Sequence, residues 1–191
     1  MTMKGIKIQK NLILSALFAA LISVGCFIQI PLPGGIPIAI QDMMAMLSGL
    51  LLGPVFGSLS VVVFLVLGVI GLPVFTGKAG IQILVNGPTS GFLWGYLIAA
   101  IVGGLFLLIF LPGGKKHSTA RQYVLITIAA LLATVVLFAC GIAGGMLIMK
   151  MTFAKTLAAY LIPFIPGNII KIILMVFLTK KIRPVIYGYT H

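Results

Sequence analysis

The sequence predicts an all-α integral membrane protein with six transmembrane helices. Three observations lead there: 61% of the 191 residues are apolar, only 7% are charged, and apolar runs recur at lengths close to the ~20 residues that a membrane span needs. A soluble domain of average make-up carries about 25% charged residues, so no water-exposed surface can be assembled from this composition. The runs lie at 12–30, 43–70, 92–111, 124–149 and 169–178. They leave little for a soluble unit, and residues 1–191 read as a single transmembrane domain.

The first helix follows Lys4, Lys7 and Lys10. Its basic start and apolar body imitate a secretory signal, but the run is as long as a span, lacks a small-x-small cleavage site and leads straight into further membrane segments. Pro31-Leu32-Pro33-Gly34-Gly35 ends it, Gly53-Pro54 separates the second helix from the third, and Gly71-Leu72-Pro73 closes the third. A loop at 77–91 comes next, then a fourth helix from about Phe92, a basic connector at 112–121 and a fifth helix to about Met149. A Pro-rich turn at 163–167 opens the sixth. The second helix, 41–52, is too short to cross a hydrocarbon core of about 30 Å unaided, so the loops flanking helices two and three are expected to face a cavity that satisfies their backbone.

Charge placement fixes the orientation. With six spans, Lys4, Lys7 and Lys10, then Lys115, Lys116 and Arg121, then Lys180, Lys181 and Arg183 all gather on one side. The positive-inside rule makes that side, with both the N- and C-termini, cytoplasmic. Lys78, Lys150 and Lys155 remain on the other. The same placement argues against nucleic acid as the partner of the +12 formal charge, because the basic residues sit at the ends of apolar segments and do not interleave with aromatics on one face. Cys26 and Cys140 lie within apolar runs, without metal-ligand spacing, and His117 and His191 sit in the connector and at the terminus. No nucleotide fingerprint, HExxH or triad is present, so neither an enzyme nor a cofactor or metal site is expected.

The polar residues inside apolar segments need a reason. Lys171 stands a turn inside the last helix, with Asn168 on the same face and Pro166-Gly167 at the helix start, where unpaired N–H groups collect. Together they suit an anion or polar ligand, the alternative being a lysine stem that snorkels to the interface. No carboxylate lies in its segment, so Lys171 is expected to have no internal counter-charge. Asp42, the sole acidic residue, is read with Gln41 as the start of helix two, where an acid caps backbone, in preference to coupling an ion gradient. The stretch from Asn86 to Gly91 suits either a tight turn or close approach to a ligand, and Lys78, Gln82 and Asn86 could add donors at a pocket mouth. Small residues on helix one form two rows, Ala16 and Ala20, and Ser15, Ala19 and Ser23, either of which lets another helix come close.

Six stretches taken in order carry a resemblance: Ala16-Leu17-Phe18-Ala19-Ala20-Leu21, Ile30-Pro31-Leu32-Pro33, Gly49-Leu50-Leu51-Leu52-Gly53-Pro54, Gly71-Leu72-Pro73-Val74-Phe75, Gly87-Pro88-Thr89, and Pro163-Phe164-Ile165-Pro166-Gly167-Asn168 with Lys171. From helix one to helix six the chain resembles the BioY family, the biotin-binding S components of energy-coupling factor (ECF) transporters. The resemblance implies an S-component fold in the bacterial plasma membrane, an outward-facing vitamin pocket, and partners consisting of a transmembrane T component and two ATPase subunits. It further implies docking on the T component through Ala16 and Ala20, and delivery of substrate by toppling of the whole subunit.

Ligand residues match the family pattern in part. Asn168 occupies the place of an Asp, Ala79 stands in the 77–80 stretch where some members have Asn, and Leu93 stands where some have Arg. The pocket residues implied are Lys171, Asn168, Asn86, Gln82, Lys78, Gln41 and Tyr160, with Lys171 or Lys78 toward the ligand carboxylate and Trp94, Tyr160 or Phe164 as walls or as plain core. A related acid such as lipoate is the alternative substrate, and a membrane scaffold or channel the alternative class.

Overall fold

The computed structural model describes residues 3–30, 38–113 and 117–190. Five helices are long and apolar enough to cross a membrane. They belong to α1 (Met3–Val24), α2 (Gln41–Val69), α4 (Ser90–Phe110), α5 (Thr119–Leu147) and α7 (Ile165–Thr190). Two short helices, α3 (Ile81–Asn86) and α6 (Phe153–Tyr160), join them, and a two-residue antiparallel pair, β1 (Gln29–Ile30) with β2 (Ile38–Ala39), links α1 to α2.

The expected break at Gly53-Pro54 makes six passes out of five helices. Gly53 has φ +80° and ψ −179°, outside the helical region, and only glycine adopts such a backbone without strain. The chain reverses there. A Cβ on Gly57 would lie 2.5 Å from the Gly49 Cα, and the Ser48 hydroxyl donates to the carbonyls of Ala45 and Gly57, so arms 41–52 and 54–69 run back to back. The first arm is about 18 Å long at 1.5 Å per residue. Gln41 and Asp42 therefore start at a depth where a full-length span would still be helical.

Small side chains let the helices close up. The α4–α5 contact is tight at Gly91, Gly95 and Gly103, where an added Cβ would meet the Cys140 carbonyl at 2.4 Å, the Cys140 Cβ at 3.0 Å and the Ala133 Cβ at 3.3 Å, and a Cβ on Gly49 of α2 would meet the Ala100 carbonyl of α4 at 2.2 Å. Without a hydrophobic force between helices in lipid, such close contact supplies the cohesion. α4 packs against both α2 and α5, α1 lies on α2, and α7 touches α1, α2 and α5, closing the bundle. The outer faces carry Ile13, Leu17, Val135, Leu147, Ile173 and Phe177, all exposed; hydrocarbon covers a surface of that extent.

Several boundaries differ from the sequence reading. α1 starts at Met3, so Lys7 and Lys10 lie within it, and it ends at Val24, before the Pro-Gly run, which lies outside the described residues. The loop at 77–91 contains α3, and α6 precedes the Pro-rich turn. The last helix begins at Ile165, so Pro166 sits in its first turn, where a missing N–H costs nothing. Both described ends of the chain lie together: the Lys10 ammonium donates to the Tyr189 carbonyl at 2.8 Å and sits 4.5 Å from its ring centroid.

Candidate functional site

At the opposite end from the termini, the irregular start of α2 is held by α7. The Lys171 ammonium reaches across 129 residues to both oxygens of Asp42, at 2.7 and 2.8 Å, and to the Ala39 carbonyl at 2.6 Å. An ammonium has three donors, and these contacts occupy all three. Both residues are buried, Lys171 at 6% exposure and Asp42 at 9%. The expectation that Lys171 has no internal counter-charge is therefore corrected, since the sole acid of the chain is its partner. Asp42 does not cap α2, whose N-cap is Ile40 without a side-chain cap bond; it lies within the first turn, where an acid suits the helix start, and its Oδ1 accepts from the Met43 N–H at 2.7 Å.

Asp42 also borders a narrow cleft, lined with it by Ala39, Thr76, Phe92, Tyr96 and Phe138, with Thr89, Leu93 and Phe164 completing the wall. Its free volume is about 30 Å³, the room of about one water molecule. The walls are fixed by ring packing. Phe92 meets Phe138 edge to face with centroids 5.9 Å apart, and Tyr160 and Phe164 lie against Phe92 at 5.6 and 6.4 Å. Edge-to-face pairs of this kind add to the area they bury. Thr76 enters from a hairpin turn in which Phe75 and Lys78 exchange both backbone bonds. Thr76 and Gly77 have φ of +55° and +78°, the positive pair a type I′ turn requires. A β-branched residue in that region is strained, and strain of this kind gathers at ligand sites.

The other sequence-assigned residues divide. Gln41 is fully buried beside Asp42, donating to the Val74 carbonyl at 2.9 Å while its Oε1 has no partner among the described residues. Asn168 is buried one turn before Lys171. Its amide donates to the Phe164 carbonyl, its Oδ1 is likewise unpartnered, and it borders an apolar hollow of about 410 Å³ between α5 and α7 that shares Phe138 and no other lining residue with the cleft. Tyr160 supports the wall from behind, its hydroxyl donating to the Pro88 carbonyl at 3.1 Å. Lys78, Gln82 and Asn86 are exposed, and Asn86 donates to Gln82 at 3.0 Å; none of the three lines the cleft. Trp94 is exposed too, whereas Phe164 is part of the wall.

Ala39, Asp42, Thr76, Phe92, Tyr96 and Phe138 are lining residues that sequence reading left out of the site. One signal could have found Asp42: a buried cation and a sole carboxylate in one chain are expected to meet, because either alone in hydrocarbon is costly. On helix one the two small rows separate. Ser15 and Ala19 face inward, with the Ser15 hydroxyl donating to the Phe56 carbonyl at 2.9 Å, while Ala16 and Ala20 are exposed.

Fold and cleft define a multi-pass cell-membrane protein that shields one small polar site among aromatic walls. The BioY family model matches residues 1–187. The chain is 33% identical over 180 residues to a biotin transporter BioY of Thermotoga maritima, covering 91% of this chain and 96% of that protein. It is 36% identical over 179 residues to one of Rhodobacter capsulatus, covering 86% and 88%. A crystal structure of the S-component for biotin from an ECF-type ABC transporter superposes with a TM-score of 0.83 at 31% identity, covering 96% of this chain and 94% of that one. The chain belongs to the BioY family, a family of membrane transport components and not of enzymes.

Proposed function

We propose that this protein is the substrate-capture S subunit of an ECF-type importer and that its substrate is biotin. The observation that carries the reading is Asp42, ion-paired to Lys171 and lining a cleft walled by Phe92, Tyr96 and Phe138. The matched relatives named as biotin transporters and the matched biotin S-component support it. Biotin presents a ureido ring with two N–H donors and one carbonyl. A carboxylate with two oxygens suits that pair of donors, and such bonds are about twice as strong as neutral ones. In this chain Asp42 supplies the charge that Asn168, standing where the family pattern has Asp, does not. Lys171, its donors engaged, orients Asp42, and the unpartnered oxygens of Gln41 and Asn168 offer further acceptors. Lys78, exposed on the turn that carries Thr76, is the cation for the valerate carboxylate.

A ligand the size of biotin enters only if the cleft walls separate. Energy for release comes from partners, a T component and two ATPase subunits, with Ala16 and Ala20 as the docking face and with both termini in the cytoplasm. Their exposure on α1 supports that role. The test is to purify the detergent-solubilised protein from rich medium and identify any small acid released on denaturation, alongside binding of labelled biotin. Biotin recovered and bound is the expected result. Lipoate in its place would reassign the substrate, and the absence of both, with no biotin binding, would return the chain to the scaffold or channel class.

A further inference from the structure

The end of the molecule near the termini carries a second polar site, unrelated to the cleft. A cavity of about 240 Å³ opens where α4 ends, α5 begins and α7 passes, lined by His117, Gln122, Thr179, Lys180 and Arg183, with Tyr187 at its edge. Its charge is all of one sign. Lys180 donates to Gln122 and lies 5.6 Å from the Tyr123 ring centroid, Gln122 donates to the His117 carbonyl at 2.8 Å, and Arg183 donates to the Leu107 carbonyl at 3.3 Å. These are all neutral partners. Lys180 and Arg183 are half-buried, and the one Asp or Glu side chain of the sequence is engaged by Lys171 at the other end. Half-buried cations without a counter-charge are unfavourable.

Two further atoms are left over. Thr179, one of the lining residues, has no exposed surface and its hydroxyl has no partner among the described residues, and the buried Nε2 atom of His117, another lining residue, has none either. Native proteins rarely leave such groups unused. Two half-buried cations, Lys180 and Arg183, and two lining residues with unsatisfied polar atoms, Thr179 and His117, thus gather around one cavity. Arg183 also borders a neighbouring hollow of about 220 Å³, which is lined mainly by apolar residues including Leu51, Phe56 and Leu108.

From this arrangement we infer that the cavity binds a phosphate oxyanion, and that the phosphate is that of an anionic lipid whose glycerol and upper chains occupy the adjoining apolar hollow. The bidentate fork of an arginine suits two phosphate oxygens, and basic pockets between transmembrane helices at interfacial depth take acidic headgroups. Free phosphate shares the oxyanion chemistry but has no use for the hollow.

The purified full chain is exposed to equal amounts of phosphatidylglycerol and phosphatidylcholine and analysed by native mass spectrometry. Its thermal midpoint is measured in parallel in sodium phosphate and in sodium chloride of equal ionic strength. Phosphatidylglycerol is expected to be retained at least about tenfold over phosphatidylcholine. The Lys180→Gln/Arg183→Gln variant, checked for folding by gel filtration, is expected to lose that preference, while Lys181→Gln on the exposed side of the same turn keeps it. Stabilisation by inorganic phosphate in the native chain but not in the variant, without lipid preference, would move the source to free phosphate. Should the double variant fail to fold, Thr179→Val decides. It keeps both charges and is expected to lower retention about fivefold. No preference for either phosphate source in the native chain, or one that Thr179→Val and the charge variants leave unchanged, would overturn the inference.

Discussion

The two ends of α7 treat their cations in opposite ways. Lys171 is locked by two carboxylate oxygens and a carbonyl, with every donor used, whereas Lys180 and Arg183, further along the same helix, have only neutral acceptors. The sole acid of the chain is placed where the backbone is least regular, at the start of the short arm of α2 and beside the β1–β2 pair. It ties α7 to α2 there and leaves the other end of the bundle basic. An ion pair inside a bilayer thus serves as a positional constraint, while unpaired cations toward a helix end remain available to groups from outside.

Breaking the locked end should have the largest effect. Lys171→Ala leaves Asp42 buried without a cation and is expected to cost about 3–5 kcal/mol of stability, read from thermal unfolding in detergent. The double variant Asp42→Asn/Lys171→Met should recover most of that loss, and a double variant as unstable as the single one would remove the pair as the constraint. Asp42→Asn alone is expected to weaken biotin binding by about 1–2 kcal/mol, roughly tenfold, through loss of charge assistance; titration with labelled biotin reads it, and unchanged affinity would exclude Asp42 from ligand contact.

At the other end, the Lys180→Gln/Arg183→Gln variant should shift stability by no more than about 1 kcal/mol in detergent, because no partner charge is stranded. A shift as large as that of Lys171→Ala would erase the contrast between the ends. The smallest structural effect belongs to Ala16→Leu, within about 0.5 kcal/mol, since the site is exposed. The same variant should nonetheless abolish uptake when co-expressed with the partner subunits. Full uptake would reject the docking face.

Much of this was legible in the residues. Gly53-Pro54 marked a reversal because only glycine takes the required dihedral, and the short 41–52 arm pointed to irregular backbone around a cavity. Local spacing was a weaker guide to partners. Gln82 and Asn86 are four apart and satisfy each other, which is what helical neighbours do, so their spacing carried no information about a ligand. The Asp42–Lys171 contact spans 129 positions and no periodicity encodes it; only the cost of unpaired charge in hydrocarbon points to it. The two small rows of helix one looked alike in sequence, and packing alone turned Ser15 and Ala19 inward and left Ala16 and Ala20 free. α6 was missed because its eight residues lie between a break and a Pro-rich turn.

The closed arithmetic of the Asp42–Lys171 pair has a consequence for movement in an energised membrane. A single elementary charge carried through the bilayer exchanges about 2.3 kcal/mol with each 100 mV of potential, but a carboxylate and an ammonium that travel together sum to zero. If the subunit topples as the family resemblance implies, this pair adds no net charge to the movement, and the field acts near the cleft only on the vitamin's acid group and on the Lys78 ammonium proposed to meet it.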